Sequence, residues 1–145
     1  MNIKKYIRED LIFDLKAGEK LNILKEMAGS IADAAGFGSR EAFVKDITDR
    51  EKQLSTGIGL GIAVPHAQTE ETDDFLVGIG RIREGILFES IDDKPVHIII
   101  MIARPVGRQK DYINLLASVV SYAKNKGNFN RLLKENPQKL IESLK

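Results

Sequence analysis

Cysteine is absent, which excludes a disulfide framework and a thiolate metal site. Histidine occurs only at positions 66 and 97, and that spacing by itself points to no zinc centre. Neither sign of charge is in excess. The formal net charge is +1 at pH 7, so no net basic field exists to drive nucleic-acid binding. No run of about 18 apolar residues occurs, and the N-terminus lacks the apolar core of a secretion signal. The expected location is the cytoplasm, without membrane insertion. There is no repeat, no low-complexity tract and no interdomain linker. The 145 residues therefore read as one domain, 1–145, long enough to bury a core. With 43% apolar and 30% charged residues, the composition is that of an ordinary globular protein.

What is present falls into clear elements. Residues 2–7 suggest a short helical turn, and Leu11–Leu15 a strand ended by Lys16-Ala17-Gly18. From Glu19 to about Ala35, Leu21, Leu24, Met27, Ala28, Ile31, Ala32 and Ala35 recur at helical spacing. Gly36 and Gly38 stop that helix. Ser39 is placed to cap a second one, which turns Phe43, Val44 and Ile47 inward and fades near Lys52. Phe75–Ile82 predicts a strand and Ile86–Phe88 a separate extended piece. Asp92–Pro95 predicts a turn. Val96–Ala103 is the most apolar run in the chain, and its branched residues predict a central strand covered on both faces. A helix is expected from about Gln109 to Lys126, ended by Gly127. A short helix at 129–133 follows, and a last one opens at Pro137.

The stretch Ser55-Thr56-Gly57-Ile58-Gly59-Leu60-Gly61-Ile62-Ala63-Val64-Pro65-His66-Ala67 stands out. Glycines at alternate positions let backbone N–H groups approach a ligand and permit positive φ. Pro65 stiffens the chain and biases Val64 to an extended form, so His66 is expected at the end of a short strand beside a loop rich in free donors. Neutral imidazole has a free lone pair near pH 7 and needs neither metal nor cofactor to accept a phosphoryl group. Taken apart, the loop could be an ordinary turn and His66 a surface residue.

Taken together they resemble the phosphorylation-site signature of the fructose/mannitol-type enzyme IIA domains of the bacterial phosphoenolpyruvate:sugar phosphotransferase system. Glu51, Ile58, Gly59, Ile62, Ala63, Val64, Pro65, His66 and Ala67 each fit their position in it. The resemblance implies a three-layer α/β/α sandwich on a small mixed sheet. It also implies a phosphotransferase that carries the phosphoryl group on the tele nitrogen of His66. Its donor would be a histidine-containing phosphocarrier protein, or the nitrogen-branch counterpart, and its acceptor an enzyme IIB. A stand-alone relative of the nitrogen-branch type would instead act on regulatory targets, such as a kinase or a potassium transport component, through the phosphorylation state of His66.

The phosphoryl group is anionic and needs donors. The expected set is Arg50, the Ser55 and Thr56 hydroxyls, the backbone of Gly57 and Gly59, and Tyr112. Arg50 matches the arginine that the family usually has just ahead of its loop. Read alone, Arg50 is a solvated helix-end cation. In Asp111-Tyr112-Ile113-Asn114-Leu115-Leu116, Tyr112 stands where many family members have a second histidine; a neutral hydroxyl can donate to phosphate but cannot become a cation near neutral pH. Arg104, after the central strand, could replace that cation or lie free on the surface. His97 reads as structural. Apolar surface around the loop, with Ile58 and Leu60 as candidates, is the expected docking patch for a partner.

Overall fold

The most apolar run becomes the middle of the sheet. In the computed structural model, which describes residues 2–144, Val96–Arg104 forms β6. β5 (Leu76–Ile86) lies antiparallel along one side of it. On the other side β3 (Ile62–Ala63) and β4 (His66–Gln68) follow one another, both parallel to β6. β1 (Ile12–Asp14) adds in parallel beyond β5, and β2 (Gly57–Gly59) antiparallel beyond β3. The result is a six-stranded mixed sheet in the order β1-β5-β6-β3-β2, with β4 beside β6.

Strand side chains alternate between faces, and β6 uses both. Ile99, Met101 and Ala103 pack into one apolar core, Ile98, Ile100 and Ile102 into the other. The first core is closed by α1 (Lys20–Ala35) and α2 (Arg40–Gln53), through Leu24, Met27, Ile31, Phe43 and Ile47. The second is closed by α3 (Gln109–Lys124), α4 (Lys126–Lys134), α5 (Pro137–Ser143) and the 3-10 turn Ile3–Tyr6. This is the expected three-layer α/β/α sandwich. Helix ends are made locally. The Glu19 carboxylate accepts from the Leu21 and Asn22 amides, the Ser39 hydroxyl accepts from Ala42, and Gly36 closes α1 at φ 71°.

Three elements differ from those expected of the sequence. Phe75–Ile82 and Ile86–Phe88 are not two pieces, because β5 runs unbroken to Ile86 through a register shift between Arg81 and Ile86. Gly85 at φ 76° makes that shift possible, with the His97 ring packed where a Cβ would go. His97 Nδ1 lies 3.2 Å from the Ile82 carbonyl and 3.1 Å from that of Arg83, so the ring serves as a clamp on the shift. The helix expected to reach Lys126 stops at Lys124, because Asn125 caps a new helix through the Asn128 amide. Gly127 therefore lies in the first turn of α4 rather than at the end of α3. Finally, His66 does not end a strand but begins β4.

Gly80 of β5 faces α1 so closely that a Cβ there would lie 2.8 Å from both Leu15 Cδ1 and Met27 Sδ. Gly80→Val is expected to destabilise the fold by about 1–3 kcal/mol through overpacking, read as a lower urea midpoint with an unchanged slope.

Candidate functional site

Four residues from four parts of the chain meet at one shallow cleft of about 350 Å³. α2 supplies Arg50, flanked by Asp46, Asp49 and Gln53; β4 supplies His66; Arg104 ends β6, and Tyr112 stands in the first turn of α3. Register explains the meeting. His66 pairs with Ile102 and Gln68 with Arg104, so a two-residue step along either strand returns to the same face, the face whose apolar core holds both Ile102 and Tyr112.

The break at Val64-Pro65 sets the imidazole. Pro65 has no N–H, yet its carbonyl accepts from the Ile102 amide at 2.9 Å, which holds the break against β6. The ring then turns back, and His66 Nδ1 meets the Val64 carbonyl at 3.0 Å. A carbonyl only accepts, so Nδ1 carries the proton and Nε2 keeps the lone pair. Burial holds the His66 pKa below the ordinary imidazole value. The Val64 hydrogen bond opposes that shift, Arg50 adds to it, Glu51 opposes it and Arg104 adds to it. The Tyr112 ring stands 5.4 Å from that of His66. Burial raises its phenol pKa, against the pull of Arg104 and Arg50, so the hydroxyl is a neutral donor.

The Arg50 guanidinium donates to the Leu54 carbonyl at 2.9 Å. The Arg104 guanidinium lies over the Tyr112 ring, 4.5 Å from its centroid, and donates to the side-chain oxygens of Gln109 at 2.6 Å and Gln68 at 3.3 Å. Among the described residues neither arginine pairs with a carboxylate, whereas Arg8, Arg40, Arg81 and Arg108 each do. The cleft thus holds two arginines without acidic partners beside a neutral imidazole.

The structure brings His66, Arg50, Tyr112 and Arg104 together, but Ser55, Thr56, Gly57 and Gly59 do not line this cleft. The donors of Ser55, Thr56 and Gly57 are already taken. The Ser55 hydroxyl donates to the Glu89 carbonyl at 2.6 Å, and the Gly57 amide to Ser55 Oγ at 3.3 Å. The Thr56 amide and hydroxyl both donate to the Glu51 carboxylate, at 2.9 and 2.7 Å. Beyond Gly59, the Leu60 amide donates to Asp92 at 2.9 Å. The loop is built around the chain's own acids, Glu51 and Asp92. Leu60 lies apart too, lining a separate cavity of about 520 Å³ with His97 and Phe129. The exposed apolar residues within two positions of a cleft residue are instead Leu54, Val106 and Ile113.

Glu51 was visible only as a signature position, with no role attached. Its carboxylate is 1% exposed and takes Lys20 Nζ at 3.1 Å as well as both Thr56 donors. The Thr56 carbonyl in turn accepts from the Val64 amide at 3.0 Å. A connected run of bonds therefore leads from Glu51 through Thr56 and Val64 to the His66 ring. Nothing in the residues alone signals it, because it depends on how the loop folds back on α2.

Residues 5–145 match the family described as phosphoenolpyruvate-dependent sugar phosphotransferase system, EIIA 2. The chain is 36% identical over 104 residues to the PTS system fructose-specific EIIABC component of Bacillus subtilis (strain 168), covering 72% of this chain and 16% of that protein. It is 30% identical over 111 residues to the nitrogen regulatory protein of Bradyrhizobium diazoefficiens, covering 77% of this chain and 72% of that one. In fold it matches nitrogen regulatory protein IIA-Ntr from Neisseria meningitidis with a TM-score of 0.86 at 22% identity, over 97% of each chain. It also matches enzyme IIA mannitol, solved in complex with phosphorylated enzyme IIB mannitol from Escherichia coli. There the TM-score is 0.73 at 22% identity, over 94% of this chain and 98% of that one.

Removing a carboxylate this buried leaves both Thr56 donors without a partner and Lys20 with Glu89 alone. Glu51→Ala is expected to cost about 3 kcal/mol of folding stability, measured by urea unfolding. In the same variant the amide resonances of Val64 and His66 should move more than those of α5.

Proposed function

The chain belongs to the EIIA 2 family of the phosphoenolpyruvate-dependent sugar phosphotransferase system, and on that premise we propose that it is a phosphohistidine phosphocarrier acting through His66. One observation carries the reading: Nδ1 is committed to the Val64 carbonyl, so the nucleophilic lone pair sits on Nε2, the tele nitrogen. The donor is a histidine-containing phosphocarrier protein and the acceptor an enzyme IIB. No helix among the described residues is long and apolar enough to cross a membrane, and we place the exchange in the cytoplasm.

In the transfer, Nε2 of His66 forms a bond to phosphorus as the P–N bond of the donor's phosphohistidine breaks. The bonding pair returns to the donor nitrogen. With the donor's other ring nitrogen protonated at the start, each side of the exchange has one neutral imidazole and one phosphorylated imidazolium, and no proton need leave Nδ1 of His66. Arg50 offers charge and N–H donors to the arriving oxygens. Tyr112 offers a neutral hydroxyl. Stabilisation greater in the transition state than on either histidine speeds both directions. Ser55, Thr56, Gly57 and Gly59 act at one remove, by fixing the loop that holds Val64.

A regulatory role is the second reading. It is favoured by the similarity to nitrogen regulatory protein, which runs over 77% of this chain and 72% of that one. In that case the added charge on His66 switches contacts with other proteins. Delivery of the phosphoryl group to an enzyme IIB separates the two readings.

Incubation with phosphoenolpyruvate, enzyme I and the histidine carrier protein should add one phosphoryl group by intact mass, labile to acid and stable to base. His66→Ala should abolish it and His97→Ala should leave it. A His66→Ala protein phosphorylated to the wild-type extent would refute the assignment.

The pH dependence follows from the lowered His66 pKa. Protonated imidazole cannot attack, so acceptance should persist as pH falls through about 6.5 and fail only below it. Arg50→Gln removes one of the causes of the lowering and should move the inflection upward. Single-turnover rates from the phosphorylated carrier across that range check both statements.

A further inference from the structure

We propose that Arg104 is a second phosphoryl-binding cation of this site, held ready by the Tyr112 ring; the proposal rests on the reading of His66 as the phosphoryl acceptor. Three observations lead to it. First, Arg104 Nε is buried and has no hydrogen-bond partner, although a buried donor left unpaired is costly and rare in folded proteins. Second, the terminal nitrogen is held by the neutral amide oxygens of Gln68 and Gln109, which fix the group without cancelling its charge. Third, the guanidinium lies 4.5 Å from the centroid of the Tyr112 ring, an arrangement that favours a planar cation and limits its rotation.

An oxygen-rich dianion on Nε2 of His66 answers all three. It can take the orphaned N–H, balance the charge and use an orientation already set. Arg50 approaches the cleft from α2 and Arg104 from the end of β6, so the two cations come from different layers of the fold. The acids on the α2 wall do not occupy Arg104: Asp49 is bound by Lys45 at 2.7 Å, and among the described residues Arg104 forms no ion pair with Asp46 or Asp49. Arg104 adds no atom to the transfer. It lowers the free energy of the phosphoryl oxygens where charge is spread between two nitrogens. Tyr112 here is a positioning residue as well as a donor, because Tyr112→Phe keeps the ring beneath the guanidinium.

The test uses the full chain phosphorylated by phosphoenolpyruvate, enzyme I and the carrier protein, with single-turnover rates and ¹⁵N spectra of the arginine side chains. Arg104→Gln should slow transfer roughly ten- to a hundredfold. Arg104→Lys should recover part of the loss, since it restores charge without the planar fork. Tyr112→Phe should slow transfer less than Arg104→Gln. In the wild type the Arg104 Nε–H resonance should shift on phosphorylation, while that of Arg81, bound to Asp14 at 2.8 Å, should not. Wild-type transfer by a folded Arg104→Gln protein, or an unmoved Arg104 resonance in fully phosphorylated protein, overturns the proposal. If His66 takes no phosphoryl group, the functional reading has failed, and titration with inorganic phosphate then decides for Arg104. A saturable shift of its Nε–H supports an anion site, and no shift overturns it.

Discussion

The buried carboxylate of Glu51 is the constraint on which the geometry of the cleft depends. It lies at the end of α2 and fixes Thr56 by two donors; Thr56 holds Val64, and Val64 holds the ring of His66. Lys20 of α1 pairs with the Glu51 carboxylate at 3.1 Å and with Glu89 at 2.8 Å while lying over the Phe88 ring. Both helices of one layer and the strand break at Pro65 are thus tied to the orientation of one imidazole. The low dielectric around such a run strengthens each bond and penalises any gap in it. The same layer carries Arg50, so Arg50 and His66 share a foundation.

Much of this was legible because it is local. The periodicity of α1 and α2, the two-faced strand at Val96–Arg104 and the stiff Val64-Pro65-His66 corner each follow from a few adjacent residues. The gathering of Arg50, His66 and Tyr112 came through the family signature, and the β4–β6 register supplies its physical basis. What was not legible depends on pairs distant in sequence. A glycine-rich loop advertises free donors, and nothing in Ser55–Gly61 says that Glu51, Glu89 and Asp92 will accept from it. The unbroken β5 was hidden because the residue that supports its shift, His97, belongs to another strand. At the start of α4 the local signal was present in Asn125, but helical periodicity on either side masked it.

Arg104 is intermediate between these cases. It sits directly after the central strand, so its position could be foreseen. Its state could not, because the ring beneath it and the amides beside it come from α3 and β4. A guanidinium at that strand end has a different meaning beside an aspartate than beside two glutamines. In the first case it would be a structural ion pair. In the second it remains a charge available to a visitor.

The sheet itself limits how visitors arrive. Its outer strands β1 and β2, and β4 at the cleft, are three residues long each, and a strand that short gives an incoming chain few backbone groups to pair with. A partner therefore gains little by adding a strand to this sheet. Leu54, Val106 and Ile113, each more than half exposed, present apolar side chains rather than the long hydrogen-bonded seam that slows release. The short strands thus favour brief encounters, and on the proposed reading a carrier that must leave one protein in order to reach the next depends on the speed with which it lets go.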